Sequence, residues 1–134
     1  MTLAASHNPV QTTPEARAVV GYKDKILAMQ EDDTIVTRAY TGKTCRVLRN
    51  SYGQEFEDAG GEALPFPGQF IKSLTDGANH LGGDETTEGV DPDREFMPAG
   101  QGGGAIRELV PAGELVTRFV TEAEKALGNA SATI

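Results

Sequence analysis

Apolar residues along this chain recur first at helical spacing, then in β-rich runs, then at helical spacing again, and the changes of period mark its elements. Thr12, Thr13, Pro14 and Glu15 form a helix start: Thr12 and Glu15 stand three apart, as a capping box requires, and Pro14 suits a first turn. Val19, Tyr22, Ile26 and Met29 follow at spacings of three and four, which gives a first helix one apolar face. Arg17, Lys23, Asp24 and Lys25 lie largely elsewhere on it, and Gly21 weakens it slightly. Thr34 to Tyr40 and Thr44 to Leu48 are β-branched and apolar around the breaker Thr41-Gly42-Lys43, which predicts a β-hairpin. Asn50 to Asp58 is polar and reads as a short helix or turn, ended by Gly60-Gly61.

Leu64-Pro65-Phe66-Pro67 is a stiff extended piece. Behind it, Gln69 to Asn79 carries Phe70, Ile71, Leu74 and Ala78 at helical spacing, so a second helix should pack there. From Gly82 to Glu95 there are six acidic residues, one Arg and almost no apolar anchor, which predicts a long exposed loop. A last helix follows Pro111, with Leu115, Val116, Phe119, Val120, Ala123 and Leu127 as its stripe and Gly128 as its stop. Its outer face, Glu114, Arg118, Glu122 and Lys125, carries charge pairs at i, i+4 and i, i+3. The expected fold class is α+β, helices plus one β-hairpin. Residues 1–19 form an irregular lead and the start of the first helix, and 129–134 a frayed tail.

Composition narrows the function. At 134 residues there is room for one domain. A net charge of -8 and a pI near 4.7 repel phosphate backbones and anionic lipid, so nucleic acid is not an expected partner. No apolar run approaches the roughly 20 residues of a membrane span, and the N-terminus has no basic lead-in or apolar block, so an unexported, cytoplasmic chain is expected. Cys45 has no partner for an internal disulfide, and His7 and His80 show no metal-ligand spacing, so no metal is expected. Neither histidine has a sequence neighbour that would orient it as a base, and Cys45 sits in a predicted strand as a small apolar group. Arg38, Lys43, Arg46 and Arg49 make the hairpin the one basic neighbourhood, either a solvated sheet face or an anion contact.

Phe96-Met97-Pro98-Ala99 leads into Gly100-Gln101-Gly102-Gly103-Gly104-Ala105-Ile106. If Ala105 opens a short helix through Val110, the N–H groups around Gly102 to Gly104 would point at a phosphate, a carboxylate or a flavin carbonyl; the other reading is a plain packing turn. The run matches neither the G-x-G-x-x-G nor the P-loop pattern. If Gly104 takes a positive φ, valine there should disturb the turn over 99–106.

Two stretches resemble the nitronate monooxygenases, formerly 2-nitropropane dioxygenases, which share a flavin-binding barrel with the type II enoyl-acyl-carrier-protein reductases. One is Tyr22-Lys23 followed by Asp33 to Lys43 (DTIVTRAYTGK) and Arg46-Val47-Leu48-Arg49-Asn50. The other is Leu64 to Pro67, the acidic loop, Met97 to Ile106, Glu114-Leu115-Val116 and Glu122-Ala123-Glu124. The likeness covers roughly residues 20–128. It implies the C-terminal lid and closing helix of an FMN-dependent TIM-barrel enzyme whose full barrel needs about 250 residues, so most of the barrel is missing here.

The family's catalytic histidine and phosphate-binding turns have no counterpart in this chain. What the resemblance carries over is Gly100, Gln101 and Gly102 as cofactor-binding residues that return to the flavin. Relatives often place serine where Gly102 stands, so only backbone contact is expected. Arg38, Arg46 and Arg49 become structural residues of the lid hairpin. The implied function is the C-terminal portion of an enzyme that oxidises alkyl nitronates with O₂, inactive as an isolated chain. The alternatives are a non-catalytic acidic binding or assembly module, or a portion of an enoyl-acyl-carrier-protein reductase relative. The expected partner is a flavin-binding barrel, upstream or on a separate chain, or a second copy, because helices patterned to pack on a barrel would leave apolar stripes exposed. A truncated reading frame, with the missing barrel strand encoded just upstream, would account for the same pattern.

Overall fold

The computed structural model describes residues 10–131. His7, most of the lead and the last three residues of the tail lie outside that range. The elements are α1 (Tyr22–Ala28), β1 (Thr34–Thr37), β2 (Cys45–Leu48), α2 (Ser51–Asp58), α3 (Gly68–Thr75), a 3-10 turn (Gln101–Ala105) and α4 (Ala112–Ser131). This is the α+β class with one hairpin.

β1 and β2 pair antiparallel, Thr34 opposite Leu48 and Thr37 opposite Cys45. Side chains alternate across a strand, so Val47 and Leu48 face opposite sides and seed two cores. On one side Leu48 joins Ala18, Tyr22, Ile26, Met29, Met97, Ala99 and Ile106. On the other, Val47 and its partner Ile35 join Ala39, Tyr40, Tyr52 and Ala78. A third extended segment lies along β2: Leu48 N–H donates to Met97 O (2.9 Å), and Val47 bridges Pro98. Pairing with β2 therefore fixes the approach to the glycine run.

Three expectations are corrected. The helix expected from Thr12 begins at Tyr22; residues 12–16 are turns and bends, and Thr13 Oγ1 donates to Val10 O. Gly21, expected to weaken a helix interior, stands at its N-cap with φ +81, a left-handed conformation suited to glycine. Glu15 forms no capping box. Its carboxylate accepts from Ala112 N–H (3.2 and 3.1 Å) and so meets the positive end of α4, 97 residues away.

The second correction concerns α3, whose inward residues are Gln69 and Ser73 while Ile71 is 56% exposed and Phe66 and Leu74 are also exposed. The reason lies in the hairpin loop. Strand β1 ends at Thr37, short of the expected Tyr40, so the buried residues Ala39 and Tyr40 leave carbonyls without a ladder partner. Gln69 Nε2 donates to Ala39 O (2.6 Å) and Ser73 Oγ to Tyr40 O (2.8 Å). Two residues four apart on a helix share a face, and here that face supplies hydrogen-bond donors instead of apolar surface. Replacing Gln69 by Leu should therefore destabilise by about 2 kcal/mol in chemical denaturation, despite the added apolar surface, because Ala39 O would be left unpaired.

The third correction is α4. It runs through Gly128 to Ser131, so Gly128 does not stop it and residues 129–131 are helical. Only Leu115 of its stripe is buried and Phe119 is half-buried, whereas Val116 is 61% and Leu127 70% exposed, with Val120 also open. The stripe of α1, by contrast, is closed within this chain. The expectation of exposed apolar stripes thus fails for α1, whereas on α4 Val116, Val120 and Leu127 are exposed. The ion pair Arg118–Glu114 (2.6 Å) forms as the i, i+4 spacing predicts, and Glu108 adds a second (2.6 Å).

Candidate functional site

Gly100, Gln101 and Gly102 sit where the third extended segment passes into the 3-10 turn. Gly103 N–H donates to Gly100 O (3.0 Å) and Ile106 N–H to Gly103 O (2.9 Å). No helix opens at Ala105; the glycines themselves are the turn, and α4 starts only at Ala112. The anion cradle over Gly102 to Gly104 is therefore not formed as expected, since Gly103 N–H is used internally. Gly104 does not take a positive φ. Its constraint is proximity, because a Cβ there would stand 2.8 Å from Glu31 N and 3.0 Å from Gln30 C.

Gly100 is half-buried, and Gln101 and Gly102 are exposed. Gly102 lines a cavity of about 190 Å³ with Ala105, Ile106, Val110, Leu115 and Phe119, between the turn and α4. That volume is below the range of pockets that enclose small-molecule ligands, roughly 300–1,000 Å³. The cavity is therefore too small to enclose a flavin nucleotide. A cavity of about 470 Å³, bounded by Tyr52, Glu55, Lys72 and Arg94, includes none of the glycine-run residues in its lining.

The basic neighbourhood is committed to structure. Arg38 Nε donates to Gly42 O (2.9 Å), Arg46 to Thr34 Oγ1 (2.9 Å), and Arg49 to Gln54 Oε1 (2.9 Å). These contacts bind the hairpin to itself and to α2 and give no support to an anion site. Cys45 is half-buried, and burial pushes its thiol up from the ordinary value, away from thiolate chemistry. Burial likewise pushes the phenols of Tyr22 and Tyr40 up to about 12, so both stay protonated near neutral pH. Among the described residues no group of three or more His, Cys, Asp and Glu could hold a metal ion, and no helix is long and apolar enough to cross a membrane.

Sequence reasoning missed a side-chain pair. Glu95, expected in an open loop, is 2% exposed and accepts from His80 N–H (2.8 Å), while its other oxygen lies 2.6 Å from His80 Nδ1. The acidic loop is also tethered, by Arg17–Asp84 (3.1 Å), Lys23–Glu85 (3.5 Å) and Lys25–Asp93 (3.6 Å). The available signal was position: Glu95 alone among the six acids adjoins the buried run that begins at Phe96-Met97.

The described residues thus form a two-stranded sheet between two cores, a glycine-built turn beside β2 and a last helix with an open stripe. The sequence model of the nitronate monooxygenase family matches residues 10–122, and the chain belongs to that family. Among solved structures it is similar to FabK from Thermotoga maritima, at 24% identity and a TM-score of 0.71, over 95% of this chain and 38% of that one. A single-substitution mutant of the same FabK gives 21% identity and a TM-score of 0.67, covering 95% and 36%. The chain thus spans well under half the length of the structures it matches. Comparison with curated proteins gives no match.

Proposed function

We propose that this chain is the C-terminal portion of an FMN-dependent nitronate monooxygenase and works when its α4 stripe is seated on a flavin-binding barrel, upstream in the same polypeptide or on another chain. The observation that carries the reading is the family match over residues 10–122 on a chain whose longest helix leaves Val116, Val120 and Leu127 open. Apolar positions at helical spacing on a 20-residue helix are a packing face, and the cavity beside Gly102 continues it.

Bound FMN would supply the redox chemistry, oxidation of an alkyl nitronate with O₂ to a carbonyl product and nitrite. The chain's own part is position and exclusion of water. Gly100, Gln101 and Gly102 would border the flavin through backbone, with no side chain at Gly102 to intrude, and the turn would close one wall of the substrate space. The raised phenols of Tyr22 and Tyr40 and the Cys45 thiol are poorly suited to proton transfer there.

Mixed with the barrel portion of a family member, the chain should retain yellow FMN through desalting, whereas the chain alone should not. The double variant Val116→Glu, Val120→Glu should lose the colour at least tenfold while its far-UV circular dichroism stays unchanged, because both side chains are exposed in the isolated chain. Colour retained by that variant would sink the seating of α4. The FabK likeness favours a second reading, a portion of an enoyl-acyl-carrier-protein reductase relative. Nitronate-dependent O₂ consumption by the reconstituted protein selects the first reading, and nicotinamide oxidation driven by an enoyl thioester selects the second.

A further inference from the structure

We propose that Tyr22 is the positioning residue of the glycine-built turn: its hydroxyl, acting through Pro98, sets where Gly100, Gln101 and Gly102 present their backbone to the flavin. This rests on the flavin reading of those three residues and names what holds them in place. Residues 97–99 run beside β2, where Leu48 N–H donates to Met97 O (2.9 Å) and Ala99 N–H to Arg46 O (3.3 Å). Backbone groups alternate between the two edges of an extended chain, so Pro98, which stands between those bonds and opposite Val47, turns its carbonyl away from β2. On that side stands α1. The Tyr22 hydroxyl lies 2.5 Å from Pro98 O and 2.9 Å from Gln11 Oε1; it has one proton to give, and the shorter contact is to Pro98. Burial keeps that phenol protonated near neutral pH, and so keeps it a donor.

The hydroxyl and the ring have separable tasks. The ring is buried among Ile26, Met97, Ala99 and Ile106, residues from both sides of the glycine run, and fills that core with or without its oxygen. The hydroxyl holds the main chain. Proline has no N–H, so at position 98 the carbonyl is the one backbone group through which the segment can be held, two residues ahead of Gly100. Glycine at 100, 102, 103 and 104 then lets the backbone follow wherever its ends direct it. One end is fixed where Gly104 meets the backbone of Gln30 and Glu31, and the other where Tyr22 meets Pro98.

Tyr22→Phe removes the hydroxyl and keeps the ring. Tyr40→Phe, whose hydroxyl bonds Asn50 Oδ1 (2.8 Å) in the other core, is the control for loss of a buried phenol. In the full chain, hydrogen exchange at Gly103 N–H, which donates to Gly100 O, should quicken about fivefold in Tyr22→Phe beyond any change at Arg49 N–H in the hairpin, as the loss of one hydrogen bond predicts, and Tyr40→Phe should show no such excess. Reconstituted with the barrel portion of a family member, Tyr22→Phe should shift the visible absorption band of bound FMN and weaken its retention about fivefold, whereas Tyr40→Phe should do neither. Unchanged exchange at Gly103, an equal response in Tyr40→Phe, or faster exchange with the FMN band and retention unaltered would each overturn the proposal. A parent chain that takes up no FMN with the barrel would sink the flavin reading instead, and the exchange measurement would still decide whether Tyr22 holds the turn.

Discussion

Asn50→Ala should lower the unfolding free energy by about 3 kcal/mol, the sum of a lost helix cap near 1 kcal/mol and buried polar groups left short of partners at 1–3 kcal/mol each. One buried side chain serves three elements. Asn50 Oδ1 accepts from Gly53 N–H (3.0 Å), which caps α2, and from the Tyr40 hydroxyl (2.8 Å), which anchors the hairpin loop. Its Nδ2 donates to Glu95 O (2.8 Å), which ties down the end of the acidic loop. Asn50→Ser should recover the cap alone, about 1 kcal/mol. Asn50→Asp should keep both accepted bonds but set an oxygen against Glu95 O, so its loss should fall between those of Ser and Ala. Denaturant unfolding of the three variants measures the order, and a loss under about 1 kcal/mol for Asn50→Ala would show that the three elements do not depend on this residue.

That hub shows how far the sequence could be read. The run Arg46 to Asn50 stands out as a motif, and a hairpin followed by a short helix is legible from composition and breakers. The reason for Asn50 is not, because its partners Tyr40 and Glu95 lie 10 and 45 residues away and long-range hydrogen bonds leave no periodicity. The same cause turns α3. Apolar spacing marks Ile71 and Leu74 as inward, whereas unpaired carbonyls in the loop after β1 make Gln69 and Ser73 the inward pair. Helical period indicates that a helix has a face; it does not say whether its neighbour needs apolar surface or donors. His80 and Glu95 are 15 residues apart across a loop with no pattern, so their pairing was beyond any local rule. On α4 the period marks a stripe, and Leu115 is buried while Val116, Val120 and Leu127 are exposed.

Gly104→Val should be the most damaging change in the glycine run, at about 3 kcal/mol, and the order of substitutions identifies the cause. If glycine were needed for a left-handed backbone, Asn would be tolerated better than Ala. Gly104 is not left-handed, and a Cβ meets the backbone at Glu31 N (2.8 Å), which cannot swing aside as a side-chain tip could. Bulk alone therefore sets the cost: Ala about 1–2 kcal/mol, with Asn and Val worse, each forcing the turn off the end of α1. Gly113→Ala is the control. No atom lies within 4 Å of a Cβ there and the residue is helical in α4, so that change should be neutral or stabilise by up to about 1 kcal/mol. Because the 3-10 turn is continuous with Gly100 to Gly102, the same displacement should move the backbone proposed to border the flavin. Reconstituted protein carrying Gly104→Ala should then lose FMN affinity beyond what its stability loss explains, whereas Gly113→Ala should not; equal FMN retention by the two would separate the packing of this turn from cofactor binding.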